Sequence, residues 1–127
     1  MDCKTYDSVY DIAVRARAEA ERVYGGVVTN KCGEYSEILI HMLAEAGFEA
    51  MDAGGSYRLD HERWNDDDRK WEIAASHAWV EMTDYDLQQT TIVDISSDQF
   101  NQWMDEPNGK VMIIEHDEED LKERYEG

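Results

Sequence analysis

Asn30-Lys31-Cys32-Gly33-Glu34-Tyr35-Ser36-Glu37-Ile38-Leu39-Ile40-His41-Met42-Leu43-Ala44-Glu45-Ala46-Gly47 is the stretch on which the fold turns. Ile38, Leu39, Met42, Leu43 and Ala46 recur at helical spacing and predict a buried stripe, with Gly47 as its stop. Cys32 stands just ahead of that stripe, where unpaired backbone N–H groups and the positive end of the helix dipole favour an anion. Such a position lowers a thiol pKa and favours the thiolate, the reactive form. A nucleophile of this kind needs a base. Residues 74–82 are the strand-like segment that carries a histidine, His77, and the next strand-like run, residues 91–95, holds Asp94 among apolar neighbours. Cysteine on a helix start, histidine on one strand and aspartate on the next supply the nucleophile, base and orienter of covalent acyl chemistry.

Outward from this core the chain reads as helices followed by strands. Residues 7–24 predict a first helix, capped by Asp7 or Ser8, with Val9, Ile12, Ala13, Ala16, Ala20 and Val23 on its apolar face and Gly25-Gly26 at its end. Residues 48–53 begin a strand, Gly54-Gly55 reads as a turn or bulge, and residues 56–59 continue extended. Residues 60–71 are dense in charge and read as a solvated loop. Residues 73–82 and 91–95 alternate as half-buried strands around the turn at 83–86. Residues 97–103 fit a loop or one helical turn, Pro107-Asn108-Gly109 a turn, residues 111–114 a compact apolar strand, and residues 117–125 a short surface helix. No repeat or linker interrupts residues 1–127. The order predicts one α+β domain in which N-terminal helices, the cysteine-bearing one included, pack on an antiparallel sheet.

Composition bounds the function. The 127 residues suffice for one modest core, and 42% are apolar. No apolar run approaches the roughly 20 residues of a membrane span, and the first residues lack the apolar region of a secretory signal, so the expected compartment is the cytoplasm. Thirty acidic residues against twelve basic leave a net charge of −18. Duplex nucleic acid and anionic membranes are poor partners for such a surface. Adaptation to a salt-rich interior, mimicry of nucleic acid toward a basic protein partner, and plain solubility all remain open as reasons for the charge. Cys3 and Cys32 belong to no Cys-x-x-Cys or Cys/His cluster and are expected to be free thiols, with no metal and no cofactor. The run Asp66-Asp67-Asp68 lacks the spacing and glycine of a calcium loop, His61 and His116 have no ligand-spaced partners, and His41 falls on the helix face opposite most of the apolar stripe.

The motifs together resemble the transglutaminase-like branch of the papain-like cysteine-enzyme superfamily. The resemblance rests on Cys32-Gly33-Glu34-Tyr35-Ser36 opening a helix that ends in Ala46-Gly47-Phe48-Glu49-Ala50, on His77-Ala78-Trp79-Val80-Glu81, and on Val93-Asp94-Ile95-Ser96, and it covers residues 32–100. It implies a papain-like core with Cys32 as nucleophile, His77 as general base and acid, and Asp94 as orienter. The chain departs from the family in having Gly33 rather than an aromatic residue after the cysteine, and Ile95 rather than proline after the acid.

Other residues are placed by this scheme. Asn30, Tyr35 and Trp79 are expected at the cleft or substrate-binding surface, Trp79 sharing a strand face with His77. The oxyanion formed on the substrate calls for donors, for which the Cys32 backbone N–H and a group within residues 28–30 are candidates. Asp98 is the rival to Asp94. An inert buried thiol and a structurally satisfied strand histidine are the plain alternatives for Cys32 and His77. Two functions follow. One is a cysteine-dependent hydrolase or acyltransferase acting on a protein, a peptide or a small amide. The other is a non-catalytic acidic protein that binds or inhibits a basic partner.

Overall fold

The computed structural model describes residues 1–127. The first helix, α1 (Cys3–Val23), begins one turn earlier than its sequence suggests. Asp2 is the cap, its carboxylate accepting the Thr5 N–H at 2.7 Å, whereas the Ser8 hydroxyl donates to the Lys4 carbonyl inside the helix. Val9, Ile12, Ala13, Ala16 and Ala20 are buried as expected, and Val23 is half exposed. The second helix, α2 (Cys32–Glu45), opens at the cysteine. Its buried face is Tyr35, Ser36, Leu39 and Leu43, with Ile38 and Met42 at the margin and Ala46 exposed. The stripe is therefore turned toward Tyr35 relative to the sequence expectation, because Tyr35 packs against α1 and the segment joining the helices. Gly47 ends the helix in the left-handed region (φ 87°), and the Phe48 N–H reaches back to the Leu43 carbonyl at 2.9 Å.

Five antiparallel strands follow: β1 (Met51–Asn65), β2 (Lys70–Asp84), β3 (Gln89–Asp94), β4 (Met112–Ile114) and β5 (Tyr125–Glu126). They lie in the order β4-β3-β2-β1-β5. The α+β expectation holds, with helices against an antiparallel sheet.

Three local expectations do not hold. Residues 60–71 are not a solvated loop but the distal half of the long β1–β2 hairpin, in which Trp64 stands opposite Trp71 and Arg63 pairs with Glu72 at 2.7 Å. Charge that looks disordered in one dimension is matched across the strands. Gly54-Gly55 is neither turn nor bulge but lies in register with Ala78 and His77, and the irregularity falls instead between Arg58 and Arg63. The tail forms only one short helix, α3 (Glu119–Lys122), before Tyr125 and Glu126 add β5 beside Tyr57 and Ser56.

The two sheet faces differ in what covers them. Val80, Met82, Val93 and Ile95 join the apolar faces of α1 and α2 in the main core. Trp79, Ile92 and Ile114 pack together on the other side, and Tyr57, Leu59, Ala75 and Phe100 form a third cluster. Phe100 comes from a 3-10 helix over Ser97–Trp103. The strand alternation that sends Val80 into the main core puts His77 and Trp79 on the other face of β2, where His77 still meets Cys32 at the first turn of α2.

Arg17 anchors α1 to the segment that leaves β3. Its guanidinium is buried, donates to both carboxylate oxygens of Asp98 (2.7 and 2.9 Å), to the Ile95 carbonyl (2.8 Å) and to Glu21 (2.8 Å), and lies over the Tyr35 ring. Asp98, the rival acid in the sequence, is thus committed to Arg17. Arg17→Met should lower unfolding free energy by about 3 kcal/mol in urea titrations, since Asp98 and the Ile95 carbonyl lose their partner inside the fold. Arg17→Met/Asp98→Leu should recover most of that loss.

Candidate functional site

Cys32, His77 and Asp94 are brought to one place, at the point where β3 ends and α2 begins. Lys31, the residue before α2, provides no side-chain cap, so the first N–H groups of the helix keep their capacity to stabilise an anion. The half-buried Cys32 thiol occupies that position. Burial pushes it up, but His77, the backbone N–H of Ala78 and the backbone N–H of Gly33 outweigh burial and hold it below the usual thiol range.

His77 is 4% exposed, and its Nε2 lies 2.6 Å from Asp94 Oδ2. Nδ1 makes no completed hydrogen bond, which leaves it as the ring nitrogen that meets Cys32. A carboxylate at Nε2 fixes the neutral imidazole with its proton there, so Nδ1 is the basic atom. Burial opposes a charge on this ring, yet the negative charge of Asp94, its hydrogen bond and the neighbouring thiol raise the imidazole to about 9. Asp94 is itself wholly enclosed. Burial pushes its carboxyl up, but His77, the Ser96 N–H and the Tyr125 hydroxyl prevail and hold it below the usual carboxylate range. The geometry agrees: Oδ1 accepts from the Ser96 N–H at 3.0 Å and the Ser96 hydroxyl at 3.4 Å, and Oδ2 accepts from Tyr125 at 2.8 Å as well as from His77.

Aromatic rings wall this pair. Trp79, Tyr57, Phe100 and Tyr125 all lie within 6.3 Å of the imidazole, centroid to centroid. Trp79 shares the strand face of His77, as its alternation implies, but at 2% exposure it is a wall rather than a contact surface. Tyr35 does not line a cleft: it is fully buried, its hydroxyl donating to the Val27 carbonyl at 2.6 Å. It braces the segment that leads into α2. Asn30 takes a left-handed turn (φ 60°), and its N–H donates to the Gln99 side chain at 3.3 Å. That N–H is therefore engaged, and Asn30 contributes the bend that delivers Cys32. Of the other three histidines, His41 pairs with Glu45 and His61 with Asp105 on the surface. No cluster of His, Cys, Asp and Glu has the form of a metal site.

Sequence reasoning missed Tyr125, Ser96 and Gln99. Tyr125 lies 31 residues from Asp94 in a polar tail, and only its aromatic character amid charges offered a signal.

The site makes stability depend on pH in a definite direction. His77 has a folded pKa above its ordinary 6.5, so its contribution is complete below 6.5 and is lost as the pH rises through about 9. The lowered Cys32 thiol titrates with the opposite sign, its contribution being lost as the pH falls. Cys32→Ala leaves the part of the His77 elevation that Asp94 supplies: its urea midpoint should fall as the pH rises above 6.5, and adding Asp94→Asn should flatten that slope. Comparison of the chain with protein-family models, with curated proteins and with solved structures found no match.

Proposed function

We propose that the protein is a cysteine-dependent acyl-transfer enzyme working through an acyl-thioester on Cys32. The observation that carries this reading is the half-buried thiol at the first turn of α2, facing a histidine whose far nitrogen is 2.6 Å from a buried carboxylate. Neither an inert core thiol nor a merely satisfied strand histidine calls for that convergence of three elements. A thiol lowered below its ordinary range beside an imidazole raised to about 9 favours a thiolate–imidazolium pair over the neutral thiol and imidazole.

The chemistry follows from these roles. The thiolate adds to an amide or ester carbonyl carbon, and the oxyanion faces backbone donors near the sulfur, for which the Cys32 and Ala78 N–H groups are candidates. The bond to the leaving group breaks as His77 Nδ1 gives it a proton, leaving the acyl-thioester and a neutral ring. His77 then takes a proton from water as the water oxygen adds to the thioester carbon. The C–S bond breaks, the acid departs, and thiolate and imidazolium are restored. Asp94 keeps its charge throughout, holding the ring in plane and supporting its positive state. Water is the preferred acceptor, making the enzyme a protease, amidase or deamidase of the transglutaminase-like, papain-like type. The net charge of −18 favours substrates or partners bearing positive charge.

That same charge supports a second reading, a non-catalytic acidic protein that covers a basic surface on a nucleic-acid-handling partner. One experiment separates the two. With Cys3→Ser in every sample, alkylation of Cys32 by iodoacetamide should show an apparent thiol pKa well below the ordinary value of about 8.5, and His77→Ala should move it up. A thiol that is unreactive, or that titrates normally in both proteins, removes the enzyme reading and leaves the acidic binding protein. With an active substrate in hand, Cys32→Ala should abolish turnover while the protein remains folded.

A further inference from the structure

We infer that Tyr125 is a positioning residue for the His77–Asp94 pair, delivered to the site by the two-residue strand β5. The inference rests on the acyl-transfer reading for its consequence, but on separate geometry for its evidence. Asp94 Oδ2 has two donors, the His77 ring at 2.6 Å and the Tyr125 hydroxyl at 2.8 Å. With Ser96 on Oδ1, the phenol completes the hydrogen bonding of a carboxylate that no water reaches. A second donor on the same oxygen restrains the carboxylate against rotation and fixes the lone pair that His77 meets. The ring has a further task. It packs edge-on against Trp79 and Tyr57, with centroids 5.0 and 5.1 Å apart, and so joins the aromatic wall around His77.

The titratable groups packed around the phenol come from several elements: His77 on β2, Asp94 on β3 and Tyr57 on β1. Burial first, and then the negative charge of Asp94, raise the Tyr125 hydroxyl well above its ordinary range, which favours the protonated, donating form. The Ser97 hydroxyl is buried without a completed hydrogen bond and lies beside it.

What holds Tyr125 in place is slight. β5 pairs with β1 only at Ser56 and Tyr57. It is secured by the Arg124 backbone, which accepts the Arg58 N–H at 2.9 Å, and by the Arg124 guanidinium on the Arg58 carbonyl and Asp60. The close approach depends on Gly55: a Cβ there would stand 1.9 Å from the Glu126 carbonyl oxygen and 2.8 Å from the Gly127 Cα. Both are backbone or fixed atoms, so any side chain at position 55 must push β5 away. The strap and the histidine it serves thus meet at one residue, since Gly55 is also the register partner of His77.

Two variants test the assignment, read by NMR titration of the His77 ring in the full chain. Tyr125→Phe keeps the packing and deletes the hydroxyl, so Asp94 directs its charge more fully at His77. The ring should titrate higher than wild type, by about half a unit. Gly55→Ala instead dislodges β5, admits water to Asp94 and should move the ring down toward 6.5. Loss of protection from hydrogen exchange at the Arg58 amide would show the displacement. A Tyr125→Phe titration that superimposes on wild type overturns the positioning role, and a displaced β5 with an unchanged His77 overturns the delivery by the strand. Alkylation of Cys32 in the same samples keeps the two levels apart. An ordinary thiol pKa in the wild type ends the acyl-transfer reading, whereas shifted His77 titrations still establish the Tyr125–Asp94–His77 coupling.

Discussion

A carboxylate with no exposure to solvent is the constraint around which this molecule is arranged. Asp94 is 1% exposed, and an ionised group so enclosed is tolerable only if every lone pair finds a donor. The donors come from separate parts of the chain: His77 from β2, Ser96 from the turn after β3, Tyr125 from β5. Each tie fixes a neighbour that the others need. Satisfying Ser96 turns the chain out of the sheet, and that turn sends Asp98 to Arg17 and Gln99 to the Asn30 N–H. Through Gln99 the requirements of one buried charge reach the bend that presents Cys32.

The same constraint separates what was legible in the sequence from what was not. Both helices and the central strands follow from spacing that is local in the chain, which is why Cys32, His77 and Asp94 were found on the elements they occupy. Tyr125 was invisible for the opposite reason: its element is two residues long, its sequence is polar, and its partner is remote. Residues 60–71 read as a loop because they carry charges that are compensated only across strands, as in the Arg63–Glu72 pair. Tyr35 lies near the face of Cys32 on α2, since residues three apart are neighbours on a helix, but its ring is taken up by tertiary packing: the hydroxyl reaches the Val27 carbonyl and the Arg17 guanidinium lies over the ring.

Part of the scarce positive charge is tied up within the fold. Arg17, Arg63 and Arg124 each serve a carboxylate while bonding or stacking with other groups, as in the position of Arg63 over Phe100 and Trp103. Lys110 joins Arg17 on Glu21. The surplus of carboxylates therefore faces outward with few cations beside it, and long-range attraction of a basic molecule is the physical result, whatever chemistry follows the encounter.

Trp79 gives the site an optical property. Its ring lies 5.9 Å from that of His77 and is shut off from water, while Trp64 and Trp71 stand exposed at the far end of the hairpin. An excited indole transfers an electron more readily to an imidazolium than to a neutral imidazole. The blue, buried component of the emission should therefore be quenched while His77 carries its proton and should brighten when that proton leaves. The fold carries its own indicator dye, placed beside the nitrogen whose protonation decides what the neighbouring sulfur can do.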